Sequence, residues 1–402
     1  MNARVALYSA VDDELTHYQV DVANASLDRR ATIKVPANVQ YAWPHPSRNF
    51  LYVATSNRGH GLKADYNHMS AWRIDTQSGA LSPHGEPQPL PHRAVHICVS
   101  PDGGYVVSGH NLPVSGLTVN RINSDGTLGP AVQQPQTLNC GPYPHQVRVT
   151  PSGRTTIVVD RGNAAKDNKP EDPGALRLFR FNQGVHEPLD VIAPNGGSGF
   201  GVRHLDFHPT QPWVYVSLEI QSVLNMFRMT GDTLEPQAAY VRDLLADRTH
   251  IKPRQLAGTV HVHPSGKFVY FANRADWTTD YQGTQVFNGG ENSIAVFAID
   301  QQTGEPTLIQ HADTHNYHVR TFSFDPSGRM MVAASIKRMH VRIDKTVITV
   351  PAAMSVFKVH DDGRLQFVRR YDVENGDRTQ YWVGPARNPG RVSCPLRLRS
   401  RC

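Results

Sequence analysis

Short segments in which apolar and polar residues alternate run through almost the whole chain. The first three lie at 3–11, 16–23 and 31–37, and Asp, Asn or Pro bounds each of them. Alternation with a period of two places every second side chain on one face of a β-strand, and the bounding residues favour turns. Val241–Asp247 comes nearest to a helical pattern, but it is short. The pattern therefore predicts an all-β protein.

A strand–turn–strand unit recurs six times along the chain. Its copies share a proline at the second turn position, flanked by β-rich sequence, and they lie at 45–56, 100–111, 150–161, 208–219, 263–274 and 325–336. Several copies continue into a third strand, at 69–75, 222–229, 292–300 and 353–360. Four strands in each repeat of about 55 residues indicate a β-propeller, in which each repeat is one four-stranded antiparallel blade beside a central channel.

The N-terminal strands and the six copies together make seven blades. We expect the C-terminal segments 365–373 and Gln380–Gly384 to pair with the N-terminal strands, because closing the ring removes exposed sheet edges. The predicted domain covers 1–386, and we expect the arginine-rich tail at 387–402 to be disordered. A pair of β-sandwich domains is the alternative, although one repeat register along the chain does not suit it.

The residues at the open end of each hairpin differ from repeat to repeat. Six residues before each proline stand Gln40, Val95, His145, Arg203, Gly258 and Arg320, and ten residues after it stand Ser56, Asn111, Arg161, Glu219, Arg274 and Ile336. Residues equidistant from a hairpin turn face each other, so Arg203 is expected opposite Glu219 and His145 opposite Arg161. The pattern predicts one carboxylate, one imidazole and four guanidinium groups at one mouth of the channel.

These residue types indicate an anionic ligand and acid–base chemistry. Guanidinium groups bind carboxylate or phosphate in a bidentate manner, and an imidazole or carboxylate beside them is a candidate general base. Structural roles are the alternative. Arg203 and Glu219 could form only a cross-strand ion pair, His145 could be a satisfied channel histidine, and Arg161 could pair only with Asp160.

Other features near the hairpins have plainer interpretations. The histidines that precede the turn prolines, His45, His208 and His263, lie at the closed ends of the hairpins and are predicted to be turn residues. Long loops at 57–68, 162–174 and 275–291 open on the predicted mouth. The third carries Trp277, Tyr281 and Phe287, which could form a wall or lid over a substrate, or a simple surface insertion.

Composition excludes several classes of protein. A charged content of 19% and a hydrophobic content of 39% are typical of a soluble globular protein. The net charge of +6 resides mostly in the tail, so a nucleic-acid partner is not expected. No apolar run is long enough for a membrane helix, and the N-terminus lacks a signal-peptide core, so we expect no membrane partner and a cytoplasmic location. We expect a monomer or a weak homodimer.

Neither cysteine nor histidine spacing predicts a metal site. The four cysteines are scattered without a CxxC pair, which indicates free thiols, and they are Cys98, Cys140, Cys394 and Cys402. The HVHP run at 261–264 is explained by alternation along a strand. We therefore expect no cofactor.

Three segments resemble the seven-bladed propeller lactonase family, which includes 6-phosphogluconolactonases and carboxymuconate lactonizing enzymes. They are GVRHLDFHPTQPWVYVSLEIQSVLNMFRM, PHQVRVTPSGR and VHVHPSGKFVYFANR followed by NSIAVFAID, and the resemblance extends over about 3–384. It implies a metal-independent active site at the channel mouth, formed by His145, Arg203, Glu219 and Arg274. The candidate substrate-binding residues are Arg161, Arg320, Gln146 and His204.

Three functions remain open from the sequence. The first is hydrolysis of a small anionic lactone, in which Glu219 or His145 activates water while Arg203 and Arg274 bind the substrate. The second uses the same pocket for a muconate-type cycloisomerisation. The third is a propeller without catalytic activity that serves as an interaction platform.

Overall fold

The computed structural model describes residues 5–57 and 65–386, and the predicted all-β fold is confirmed. Within these ranges, strands form seven antiparallel blades in a ring, and the one helical element is a 3-10 turn at Pro194–Gly197. Val241–Asp247, which came nearest to a helical pattern, instead contributes the end of a strand. That strand lies at the outer edge of a blade, where one of its faces is exposed to solvent. The polar residues on this face give a spacing that resembles the spacing on an amphipathic helix.

The first four blades follow one another along the chain. Blade 1 receives β1 (Val5–Val11), β2 (Glu14–Asp21) and β3 (Ser26–Lys34). Blade 2 comprises β4 (Asn38–Pro44), β5 (Phe50–Ser56), β6 (Asn67–Ile74), β7 (Leu81–Pro83) and β8 (Gln88–Pro89). Blade 3 comprises β9 (Arg93–Val99), β10 (Tyr105–Leu112), β11 (Gly116–Ile122) and β12 (Leu128–Ala131). Blade 4 comprises β13 (Pro144–Val149), β14 (Thr155–Asp160), β15 (Ala175–Asn182) and β16 (Val185–Ile192).

The remaining blades carry two inserted hairpins. Blade 5 comprises β17 (Val202–Phe207), β18 (Trp213–Leu218), β19 (Val223–Thr230), β20 (Thr233–Leu234) and β21 (Tyr240–Asp243). Blade 6 comprises β22 (Gln255–Val262), β23 (Phe268–Ala275), the hairpin β24 (Thr278–Tyr281) and β25 (Thr284–Phe287), β26 (Ser293–Ile299) and β27 (Pro306–Asp313). Blade 7 comprises β28 (Val319–Phe324), β29 (Met330–Ser335), the hairpin β30 (Met339–Ile343) and β31 (Thr346–Val350), β32 (Ala352–Val359) and β33 (Leu365–Val373). The last strand is β34 (Gln380–Ala386).

The C-terminal strand closes the ring. β34 pairs with β1 and becomes the innermost strand of blade 1, as predicted for Gln380–Gly384. The prediction for 365–373 is wrong, because this segment is β33 and pairs with β32 at the outer edge of blade 7. A tight turn before β33, in which the His360 N–H donates to the Arg364 carbonyl at 2.9 Å, folds it back within its own blade.

Apolar side chains fill the spaces between neighbouring blades. Seven buried clusters are present, and each joins two blades; that between blades 4 and 5, for example, combines Leu176 and Leu178 with Val214 and Val216. Burial of this kind stabilises by about 25 cal/mol per Å² of apolar surface. Because every blade contributes to two clusters, its innermost strand is fixed in place beside the channel.

The turn histidines link the blades at the closed ends of the hairpins, which confirms their predicted position. The Nε2 atoms of His45, His208 and His263 lie 3.1, 2.8 and 2.9 Å from the carbonyl oxygens of Gly103, Gly266 and Gly328, in the turn of the next blade. These glycines have positive φ values, and a side chain there would strike the histidine ring. These three histidines therefore serve contacts between blades at the closed ends.

Deleting the closing strand should abolish folding. A chain that ends at Val373 lacks β34 and leaves β1 as an unpaired edge next to the channel. We expect this variant to aggregate or to lose its cooperative thermal transition in circular dichroism. A chain that ends at Ala386 retains β34 and lacks only the arginine-rich tail, so it should unfold within a few degrees of the full-length protein. Equal melting curves for the two truncations would refute the closure described here.

Candidate active site

A β-bulge near the start of each innermost strand leaves one or two residues without a pairing partner beside the channel. At each bulge the pairing with the neighbouring strand shifts. In six of the blades, the residue that stands six positions before the turn proline is left without a pairing partner. The seventh bulge is on β34. The bulge residues are Gln40, Val95, His145, Arg203, Gly258 (with Thr259), Arg320 and Tyr381. Bulges re-aim side chains and are common next to active sites.

The bulges correct the predicted hairpin register. Arg203 does not lie directly opposite Glu219, because Val202 pairs with Leu218 and His204 with Ser217. The Glu219 N–H donates instead to the Gly201 carbonyl at 2.7 Å. The extra residue in the inner strand shifts the pairing but turns the arginine toward the carboxylate, so the predicted meeting of the two side chains still occurs.

Glu219 joins three arginines from three blades. Its Oε1 accepts a hydrogen bond from Arg203 Nε at 2.9 Å and a second from Arg274 Nη2, and its Oε2 accepts one from Arg161 Nη1 at 2.9 Å. The side chains of Arg203, Glu219 and Arg274 are 1%, 6% and 8% exposed. Burial raises the pKa of Glu219, but the three guanidinium groups outweigh it and lower the pKa to about 2. This carboxylate is therefore ionised near neutral pH.

The cluster carries more positive charge than its carboxylate neutralises. Arg203 Nη1 and Arg274 Nε are buried and have no hydrogen-bond partner among the described residues. Burial and the repulsion of Arg274 lower the pKa of Arg203 to about 9. Unpaired guanidinium N–H groups in a buried, positively charged site favour an anionic ligand that accepts their hydrogen bonds.

Arg161 joins this cluster rather than Asp160, so the alternative that it pairs only with its neighbour is wrong. Asp160 is fully buried and accepts a hydrogen bond from Arg177 Nε at 3.1 Å. Its other oxygen accepts the Tyr143 N–H at 2.9 Å. Successive residues of a strand point to opposite faces, which separates the two side chains.

A histidine and an aspartate that the sequence did not indicate continue the network outward from Arg274. Arg274 Nη1 lies 2.6 Å from His318 Nε2, and His318 Nδ1 lies 3.0 Å from Asp276 Oδ2. Asp276 in turn accepts two hydrogen bonds from Arg254, at 2.6 and 2.7 Å. Burial lowers the pKa of His318 to about 4, which keeps the ring neutral, so that Nε2 accepts a hydrogen bond from Arg274 Nη1. His318 and Arg254 each precede a strand, and neither stands six residues before or ten residues after a turn proline.

The histidines of the channel wall are neutral. His145 and His204 lie with ring centroids 5.2 Å apart, and burial followed by the charge of Arg203 lowers the pKa of each well below its usual value. His145 Nδ1 is buried without a partner within the described ranges, so the alternative of a fully satisfied histidine does not fit it. Both rings border a cavity of about 10 Å³ together with Arg203, Arg320 and Tyr381. That volume is close to what one water molecule requires.

Gln146 lies apart from this cavity. Its Oε1 accepts the Leu205 N–H at 2.7 Å, a contact between blades 4 and 5. Its substrate-binding role stays a prediction.

Of the three loops predicted to open on the mouth, those at 162–174 and 275–291 lie wholly within the described residues. Of 57–68, residues 58–64 lie outside the described part of the chain. In 275–291, Phe287 packs on Tyr317 at a centroid distance of 4.7 Å, and Arg342 covers Tyr281 at 4.8 Å. Trp277 alone of the three predicted aromatics borders a basic cavity of about 600 Å³, formed with Arg254, Arg338 and His340.

The cysteines and the possible metal ligands bear on the predicted chemistry. Cys98 and Cys140 are buried free thiols, whereas Cys394 and Cys402 lie outside the described residues. Residues 5–57 and 65–386 contain no group of three His, Cys, Asp or Glu side chains arranged to bind a metal ion. The same two ranges contain no helix long and apolar enough to cross a membrane.

The fold is a seven-bladed β-propeller, and its described residues include a buried cluster of three arginines centred on Glu219. The model of the seven-bladed β-propeller lactonase family matches residues 3–346, so the chain belongs to this family, and the resemblance seen in the sequence is confirmed.

Relatives and solved structures agree with this assignment. The 6-phosphogluconolactonase of Pectobacterium atrosepticum is 25% identical over 326 residues, covering 80% of this chain and 84% of that protein. That of Yersinia enterocolitica is 23% identical over 378 residues, covering 93% and 96%. The periplasmic gluconolactonase of Pseudomonas aeruginosa shares the fold, with a TM-score of 0.68 and 20% identity over 94% of this chain and 98% of that one. The cytoplasmic location stays a prediction.

Replacing His318 should weaken the site without unfolding the protein. In His318→Gln, the amide oxygen can still accept a hydrogen bond from Arg274, but the contact with Asp276 is lost. We expect an approximately 10-fold loss of kcat/KM, because a small displacement of a positioned group has a large kinetic effect. Asp276→Asn should act in the same direction. His250→Gln is the control, since His250 is 85% exposed in the connection that precedes β22. Unchanged kinetics in both variants would show that the network beyond Arg274 does not position it.

Proposed function

We propose that the protein hydrolyses a small anionic lactone at the channel mouth. The observation that carries this proposal is the buried carboxylate of Glu219 shared by Arg161, Arg203 and Arg274, with guanidinium N–H groups left unpaired. A member of a lactonase family with such a site is suited to a substrate with a phosphate or carboxylate group. The relatives named as 6-phosphogluconolactonases support a phosphorylated sugar-acid lactone.

Arginine supplies both binding and catalysis in this proposal. Arg203 and Arg274 bind the anionic group of the substrate and stabilise the negative charge that develops on the carbonyl oxygen during attack by water. Arg161 is 23% exposed, which places it at the entrance to the cluster. Arg320 contributes a further positive charge at the cavity. No metal ion is needed for this mechanism, since the guanidinium groups provide the electrophilic stabilisation.

His145 is the better candidate for the base. The sequence left Glu219 and His145 as alternatives, but a carboxylate with a pKa of about 2 and three guanidinium partners has little tendency to accept a proton. His145 is neutral and borders the cavity that has room for a water molecule. Binding of an anion offsets the surrounding arginine charge and raises the affinity of the imidazole for a proton. Glu219 then holds the three arginines in place.

A lactone panel tests the proposal. Proton release is followed at constant pH with a phosphorylated sugar-acid lactone, a carboxylated lactone, and the uncharged lactone of the same ring size, each corrected for spontaneous hydrolysis. We expect turnover of an anionic lactone and a much lower kcat/KM for the uncharged one. Loss of diene absorbance with a carboxymuconate, without hydrolysis of any lactone, would favour the cycloisomerase. Absence of turnover throughout would favour the non-catalytic platform.

A further inference from the structure

Tyr381 occupies the seventh position of the bulge ring. It is the residue of β34 left without a partner between Gln380 and Trp382, which pair with Val11 and Ala10. Blade closure therefore brings a phenol from the C-terminal strand to the same level of the channel as His145, Arg203 and Arg320. The strand lacks the turn proline that marks the other six copies, so a search for that proline misses it.

Two arginines hold the phenol of Tyr381 in place. Its Oη accepts a hydrogen bond from Arg93 Nη2 at 2.9 Å, and Arg93 Nε donates to Gln40 Oε1 at 2.5 Å. The guanidinium carbon of Arg320 lies 3.9 Å from the centroid of the tyrosine ring. The Tyr381 oxygen acts as the acceptor in the hydrogen bond with Arg93, so its own O–H is left to donate, and no hydrogen bond from this O–H is found among the described residues.

Tyr381 lines the cavity that His145 also borders. Hydrolysis of a lactone bound next to this water-sized cavity needs one group that takes a proton from water and another that gives a proton to the ring oxygen. We propose that Tyr381 is the catalytic residue that protonates the leaving alkoxide when the lactone ring opens, an inference that rests on the proposed function. His145 is its partner as base.

The electrostatic environment places the pKa of Tyr381 above neutral pH and the pKa of His145 below it. Burial raises the pKa of Tyr381, but Arg320 and Arg93 outweigh burial and lower it to about 8. Arg203 is the third charged group that faces the phenol. The pKa of His145 is held well below its usual value by burial and by the same arginines. Near neutral pH the phenol is therefore protonated and the imidazole is not, which is the arrangement that an acid–base pair requires.

The reaction balances without any further reactant. His145 takes a proton from water as the water oxygen forms a bond with the lactone carbonyl carbon. The bond between that carbon and the ring oxygen then breaks, and the Tyr381 proton passes to the departing oxygen. The proton on His145 returns to the phenolate through the cavity or the solvent. The product is the hydroxy acid, which ionises in solution.

The pH profile of Tyr381→Phe tests the inference. In the wild type, kcat/KM should fall as the pH rises through about 8, because the phenolate cannot donate a proton. The variant should lose about 10²- to 10⁴-fold in kcat, and its remaining activity should lack this fall. Tyr8→Phe is the matched control, because Tyr8 is on β1, in the same blade as Tyr381, and its hydroxyl donates to the Gly79 carbonyl of blade 2 at 2.6 Å. It should retain both the rate and the profile.

A second variant separates proton donation from a structural role. Arg93→Gln removes a positive charge next to the phenol and should move the alkaline fall in activity upward by about one pH unit. Titration of the phenolate absorbance near 295 nm should show one tyrosine that ionises at about pH 8 in the wild type, at higher pH in Arg93→Gln, and not at all in Tyr381→Phe.

The outcomes distinguish this inference from the proposed function. Wild-type turnover that persists in a folded Tyr381→Phe variant with an unchanged pH profile would overturn the role of Tyr381 alone. An alkaline fall that does not move in Arg93→Gln would also overturn it. Absence of any lactone turnover by the wild type would overturn the proposed function and this inference with it.

Discussion

Glu219→Gln is expected to destabilise the protein by about 3–5 kcal/mol, because it leaves three guanidinium groups without their buried counter-ion. The carboxylate is 6% exposed and contacts Arg161, Arg203 and Arg274. Turnover should fall as well, since the arginines lose the group that fixes their positions. Chemical unfolding followed by fluorescence measures the first effect, and proton release with an anionic lactone measures the second.

The control for this variant is another glutamate–arginine pair. Glu305 contacts Arg242 at the outer edge, where the two side chains are 42% and 35% exposed, so Glu305→Gln should cost only about 0–1 kcal/mol. The difference between wild type and Glu219→Gln should also depend on pH. Because the folded state lowers the pKa of Glu219 to about 2, its contribution is complete above the ordinary carboxyl pKa and disappears as the pH falls toward 2. Equal stability of the two glutamine variants at neutral pH would contradict the central role of Glu219.

Arg203→Ala is expected to lower kcat by about 10²- to 10³-fold, as found when one donor to a developing oxyanion is removed. Arg203 is 1% exposed, and its Nη1 has no partner among the described residues, so its loss removes a donor that is available to the substrate. Arg203→Lys should restore little, because an ammonium group cannot contact Glu219 and a ligand in the same geometry.

The control for Arg203 is Arg242→Ala, which removes an arginine from a pair outside the channel. It should leave kcat unchanged. A folded Arg203→Ala variant with wild-type kcat and KM would show that this arginine serves blade packing alone.

The repeat pattern predicted the ring of blades because its evidence is local. Each turn proline, with the strands around it, is visible in one copy, and six copies in one register leave little choice of fold. The pairing of 365–373 was mispredicted because strand alternation identifies a strand but not its neighbour. A turn of a few residues before β33 decides that pairing.

The site was predicted in part, for a physical reason. Arg203, Glu219, Arg274 and His145 stand at repeat positions, where a departure from the other copies is visible. His318 and Asp276 lie outside the compared positions, and contacts between blades bring them to Arg274. Tyr381 could have been predicted from the sequence, because it lies within Gln380–Gly384, the predicted closing strand. The open end of that strand also borders the channel.

The role of the arginine cluster in lactone hydrolysis is tested by comparing the wild type with Arg274→Ala on one phosphorylated sugar-acid lactone, with proton release followed at constant pH. We predict wild-type turnover well above spontaneous hydrolysis and a rate about 10²- to 10³-fold lower in the variant, with both proteins folded by circular dichroism. Equal rates in the two proteins, or no wild-type rate above the spontaneous reaction, would contradict the assignment of lactone hydrolysis to this arginine cluster.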